Sequence, residues 1–178
     1  MASLKSFLPQ MAQLFGTTAN ALYTRQQALA ELGVLKFVDG RGPGSGTPLD
    51  GSGVAALVIA LLAADTLHDV DQRVRAFCLA TPKDADKCPW TGEANLQSAL
   101  AALLMSSEKA ESLEFFSIYR HDNTAQLGCP NGSFGSVRSE FVSSAPQSLS
   151  TIRIMAYCDG PILKGLAAML QAEMAGSK

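Results

Sequence analysis

Apolar residues recur at two different periods along this chain, and the change of period divides it. Leu4, Phe7, Leu8, Met11, Leu14 and Phe15 fall at i, i+3, i+4, i+7 spacing, which predicts a first amphipathic helix. Ser3 is its expected N-cap and Gly16 its stop, with Pro9 placed to kink or delay it. Thr17 and Thr18 then offer hydroxyls to cap a second helix from about Ala19 to Leu32, with a stripe of Leu22, Leu29 and Leu32 and with Gly33 ending it. Val34, Leu35, Phe37 and Val38 read as a short strand. The run Asp39-Gly40-Arg41-Gly42-Pro43-Gly44-Ser45-Gly46 cannot hold regular structure, because glycine and proline supply turns rather than ladders, so a hairpin tip is predicted.

Thr47 or Asp50 can cap the next helix, whose core Val54 to Ala64 is apolar almost all round and is expected to be the central buried helix. That run is too short to span a bilayer. Asp65 to Asp71 reads as an acidic connection and Gln72 to Leu79 as a short helix. Thr81 to Thr91 reads as a linker whose Trp90 docks back on a core. Leu96, Leu100, Leu103 and Leu104 give one more amphipathic helix, beginning near Gly92 and ending around Met105-Ser106-Ser107.

The last third switches to a period of two. Leu113 to Tyr119, Thr124 to Leu127, Val137 to Val142 and Ser150 to Tyr157 predict three or four antiparallel strands. Asp159-Gly160-Pro161 then breaks the chain before a closing helix, Ile162 to Met174. The expected fold class is α+β: an N-terminal winged helix-turn-helix, a central buried helix, and a C-terminal antiparallel sheet with its closing helix. Three regions follow: a head with the central helix (1–64), a helical connection (65–112), and a sheet-plus-helix module for dimerisation or partner binding (113–178).

Composition narrows the chemistry. The chain is 47% hydrophobic and 17% charged, values of a globular protein, and its N-terminal stretch lacks the apolar run of a secretion signal, so a cytoplasmic location is expected. Cys78, Cys88, Cys129 and Cys158 show no CxxC spacing and have only two histidines to assist them. Reduced thiols are expected, with no disulfide, metal or cofactor. The net charge of −2 argues against indiscriminate nucleic-acid binding. The head holds Lys5, Arg25, Lys36 and Arg41 against Glu31, Asp39 and Asp50, so a single head neutralises few phosphates and a homodimer is the expected DNA-binding form.

Candidate binding residues cluster in that head. The second helix presents Asn20, Tyr23, Thr24, Arg25, Gln26 and Gln27, types suited to base edges and phosphates, with Thr18 at its start. Lys36 and Arg41, beside the exposed backbone of Gly42 and Gly44, would lie along a phosphate backbone or enter a minor groove. A phosphate-loop reading fails, because neither GxGxxG nor GxxxxGK[ST] fits residues 40–53. Arg120-His121-Asp122 is the one polar cluster of catalytic types, and it suits a hairpin turn. Cys129-Pro130-Asn131-Gly132 likewise reads as a turn, so no enzyme is expected.

Gly16-Thr17-Thr18, Ala21-Leu22-Tyr23-Thr24-Arg25, Glu31-Leu32-Gly33-Val34-Leu35, the Gly-rich segment with Arg41 and then Thr47-Pro48-Leu49-Asp50 resemble the head of MerR-type winged helix-turn-helix regulators. The same order of LGVL, GRGxG and TP is similar to that of small phage and prophage proteins. The resemblance covers the head; the aromatic-Arg pair of the MerR wing and a dimerising coiled coil are absent from the sequence. It implies a sequence-specific DNA-binding transcriptional regulator, phage-encoded, acting as a homodimer on double-stranded DNA. The same head would also serve a DNA-packaging or recombination accessory protein. The alternative is a protein-binding phage accessory factor, or an inhibitor of a host enzyme, with the C-terminal module as its interface. A basic face centred on Arg25 and Arg41 favours the first, and an exposed apolar groove on the last third favours the second.

Overall fold

The computed structural model describes residues 2–38, 46–64, 72–130, 136–144 and 154–176. The first helix, α1 (Leu4–Leu14), starts where the Ser3 side chain accepts from the Ser6 N–H at 3.2 Å and buries Leu4, Phe7, Leu8, Met11 and Ala12. Pro9 lies inside it on the exposed side, and the helix continues through it to Leu14. Gly16, at φ 62°, makes the left-handed turn that lets Thr17 N–H close on the Ala12 carbonyl. Thr18 then caps α2 (Ala19–Glu31), accepting from Ala21 N–H at 3.1 Å.

A single antiparallel bridge, Val38 to Gly46, follows α2, and a second, Ser3 to Pro48, returns the chain to its own start. Asp50 caps α3 (Gly51–Ala63), accepting from Gly53 N–H at 2.7 Å. Of its thirteen residues only Ser52 and Leu61 escape full burial, as the unbroken apolar run demands. Next come α4 (Gln72–Cys78), β1 (Thr81–Pro82), α5 (Leu96–Leu104) capped by Asn95, and a one-turn α6 (Ser107–Glu111) capped by Ser106. Gln171 donates to the Leu104 carbonyl at 2.8 Å, closing the C-terminal end of α5 from α7 (Gly160–Gly176).

Four longer strands complete the sheet: β2 (Phe115–Tyr119), β3 (Thr124–Pro130), β4 (Ser136–Val142) and β5 (Met155–Asp159). All pairings are antiparallel, in the order β1-β4-β3-β2-β5. Among the described residues the sheet therefore has five strands, where three or four were expected. The added one, Thr81–Pro82, comes from the stretch expected to be a linker. Two residues are too few to show alternation, and Pro82, which has no N–H to give a ladder, is suited to an edge. The rest of that stretch is tied down as well: Lys83 N–H donates to the Glu140 carbonyl, Cys88 is buried, and Trp90 is half-buried against the core.

One continuous cluster of buried side chains runs from Leu4 to Leu170, with α3 touching α2, α4, α5, β2 and β5. Arg120, in the β2–β3 turn, is buried and its Nε donates to the Leu62 carbonyl, in the last turn of α3, at 2.8 Å. Among the described residues, no helix is long and apolar enough to cross a membrane.

Candidate interaction surface

The candidate side chains of α2 are divided between packed and outward positions. Thr18 is spent on the cap, and the Thr24 hydroxyl donates to the Asn20 carbonyl at 3.0 Å. Tyr23 is half-buried with the Lys5 ammonium 4.6 Å from its ring centroid. Arg25 is turned inward: it is 9% exposed, its Nη1 donates to the Ala21 carbonyl one turn back at 3.3 Å, and its Nε is buried without a partner. Burial pushes its pKa down from the usual arginine value. Gln26 beside it is also buried, with its Oε1 unpaired. What remains outward is a stripe of Asn20, Thr24, Gln27 and Glu31, whose one charge is negative. Lys36 is exposed, whereas Arg41, Gly42 and Gly44 lie outside the described residues. The placement of Arg25 and Gln26 on the outward face is therefore corrected, for a reason in the period itself: positions 22, 25, 26 and 29 share one side of a helix, and that side is packed.

The sheet carries the contrasting surface. Alternation sends Phe116, Ile118, Ala125, Leu127, Phe141 and Cys158 into the core. The opposite face then holds three cross-strand rows, set by register: Val142, Thr124, Tyr119 and Met155; Glu140, Gln126, Ser117 and Tyr157; and Gly128, Phe115 and Asp159. Met155 is 54% exposed, Tyr157 50% and Val142 40%, with Phe115 and Tyr119 half-buried between them. Phe115 lies over Gly128, where an added Cβ would overlap its ring. Its ring stacks on Tyr157 with centroids 5.7 Å apart and planes 23° from parallel. In the middle of the face, Ser117 Oγ and Gln126 Oε1 are buried and unpaired although their residues sit directly opposite each other.

Toward β1 the face becomes polar. Lys83 pairs with Glu140 at 3.1 Å, and both border a shallow depression of about 400 Å³ lined also by Tyr119, Asp122, Thr124 and Gln126. An aromatic centre with a charged rim is the composition of a protein-binding patch.

The polar turn and the thiols offer less chemistry. His121 Nε2 meets Asp122 Oδ2 at 2.9 Å and its Nδ1 faces the Ile154 carbonyl at 3.4 Å, so neither ring nitrogen points free toward a substrate. Burial pushes the Cys78 thiol up to about 12, and burial with Asp159 nearby does the same for Cys158, which disfavours the reactive thiolate at both. Cys88 donates weakly to Ser139 Oγ at 3.4 Å inside the core. Among the described residues, no three His, Cys, Asp or Glu side chains converge as a metal site requires.

Sequence reasoning missed Phe115, Tyr119, Met155 and Tyr157 as surface residues. The signal was present in Phe115-Phe116-Ser117-Ile118-Tyr119, where both alternating sets carry large apolar side chains, unlike a strand with one wet face. No family model matches this chain, and neither a curated protein nor a solved structure matches it significantly.

Proposed function

We propose that this chain is a protein-binding accessory factor whose interface is the open sheet face centred on Phe115, Tyr119, Met155 and Tyr157. The observation that carries the proposal is the exposure of Met155 and Tyr157 on one face of β5, beside the half-buried Tyr119 and Phe115, with the exposed Val142 at the far end of the same cross-strand row. Single exposed apolar residues are ordinary, but a contiguous aromatic patch on the face away from the core is the mark of an interaction site. Its stacked rings are held by backbone register, which keeps the entropy cost of binding low.

A second reading, a sequence-specific DNA-binding regulator, retains one supporting observation. Val38 and Gly46 pair through two hydrogen bonds at 3.0 and 2.8 Å, an isolated antiparallel bridge two residues after the exposed Lys36. Against it stands the inward turn of Arg25, which leaves α2 with no outward cation to set against phosphate.

The test pairs two assays on one preparation. Affinity capture with wild type and with Val142→Glu is compared by quantitative mass spectrometry, while fragmented genomic DNA is offered to the wild type at physiological salt. The proposal expects a protein whose recovery falls about tenfold or more in the variant, as for loss of an interface anchor, and no enriched DNA sequence. Unchanged recovery of every captured protein, together with an enriched palindrome, overturns it in favour of the regulator.

A further inference from the structure

The two edges of the sheet are managed differently. One edge is β1, two residues long and half proline, which blunts it. The other is β5, five residues with no proline and no lysine, and among the described residues no strand flanks its outer side. The hydrogen-bond phase of that edge follows from its ends: Arg120 N–H donates to the Ile154 carbonyl at 3.0 Å and Gly160 N–H to the Glu114 carbonyl at 2.7 Å. Antiparallel ladders alternate, so Ile154, Ala156 and Cys158 direct their backbone groups toward β2. Met155, Tyr157 and Asp159 direct theirs outward.

We infer that β5 pairs antiparallel with β5 of a second copy of this chain, about a two-fold axis through Ala156, joining the two sheets into one. The sequence is self-complementary in that register. Each outward-bonding Met155 faces the outward-bonding Tyr157 of the other copy, so both residues complete their ladder bonds and each sulfur gains an aromatic neighbour. The one charged residue of the strand, Asp159, falls at opposite ends of the paired segment and does not meet its own copy. Centring the axis on Tyr157 instead would set Asp159 against Met155 and waste the apolar pair. Two-fold pairing also closes the assembly, because among the described residues one sheet edge is unpaired and the other is blunted. The open faces become continuous, with Tyr119 and Met155 of one copy running on to Tyr157 and Ser117 of the next.

The inference rests on the strand edge and stands independently of what binds the face. Sedimentation of the full chain across a wide concentration range is expected to show a reversible species of twice the 18.7 kDa monomer mass. Met155→Pro removes an outward N–H and spares the bonds to β2, so it is expected to yield a folded monomer; Val142→Glu, on the face but far from the edge, is expected to remain dimeric. The register is read by mixing: Met155→Lys and Tyr157→Glu each weaken self-association by about tenfold or more, and the mixture restores a heterodimer in which those two positions meet. In the wild type, the Met155 and Tyr157 amide protons are expected to exchange more slowly as concentration rises, a readout that survives misfolding of any variant. A wild type that stays monomeric at every concentration overturns the inference, as does a dimer whose Met155 and Tyr157 amides exchange freely. Unchanged partner capture by Val142→Glu with the dimer intact would defeat the face and leave the edge standing.

Discussion

Replacing Gly128 with alanine tests whether the aromatic face is organised by the absence of a side chain in β3. Gly128 sits opposite Phe115, and a Cβ at that position would overlap three carbons of the Phe115 ring. The ring is half-buried and can swing aside, so the clash is relieved by losing its stack on Tyr157, a contact at 5.7 Å worth about 0.5–1.5 kcal/mol. Overpacking adds a further cost of about 1–3 kcal/mol where the ring cannot fully withdraw. Removing a glycine from a strand returns roughly 0.5–1 kcal/mol. The net expectation is a loss of about 2 kcal/mol, or a fall in Tm of roughly 4–8 °C for a chain of this size. Urea denaturation of wild type, Gly128→Ala, Phe115→Ala and the double variant closes a cycle. Phe115→Ala is expected to cost about 1 kcal/mol less when alanine already occupies position 128, since there the ring no longer lies over bare backbone. Additive changes, or a Gly128→Ala variant that gains stability with the Phe115–Tyr157 ring-current shifts unchanged, would refute the reasoning.

Arg120→Ala removes a charged donor to the Leu62 carbonyl in the last turn of α3, and chemical denaturation is expected to register a loss of about 2–4 kcal/mol, against about 0.5 or less for the exposed Arg75→Ala. Arg25→Met replaces a buried guanidinium with an unpaired Nε by an apolar chain of similar length, so stability is expected to hold or rise within about 1 kcal/mol, with any DNA retention on a nitrocellulose filter unaltered. Cys78 holds its proton to about pH 12 when folded but releases it near its ordinary value when unfolded, so its contribution is intact below about pH 8.5 and is lost as pH rises toward 12. Denaturation midpoints should therefore fall with alkaline pH, with a slope reduced by up to about 1.4 kcal/mol per pH unit in Cys78→Ala.

The helical half was legible because its stripes are long and its caps are chemically explicit. Leu4, Phe7, Leu8 and Met11 are buried as their spacing requires, and Ser3, Thr18 and Asp50 cap as their side chains suggest. The unbroken run from Val54 could only be satisfied by burial on all sides. Arg25 was misassigned because residue type was weighed above period: 22, 25, 26 and 29 form one face, and the two leucines on it mark that face as buried. The mixed face of Arg25 and Gln26 then looks polar in sequence while packing inward. The fifth strand was hidden by length, since Thr81–Pro82 earns its place through pairing with Phe141 and Val142 far along the chain. The open face was hidden by the same long-range pairing. Phe115 and Tyr157 are 42 positions apart, and only register makes them a stacked pair.

The central claim is that the sheet face, and not α2, meets the partner. A photo-crosslinking side chain placed at Val142, within the face, and separately at Gln27, exposed on α2, tests it in the cells that make the protein. The account predicts a discrete protein adduct from position 142 that excess wild-type protein suppresses, and none from position 27. Adducts to DNA or protein from position 27, with position 142 silent, would contradict it.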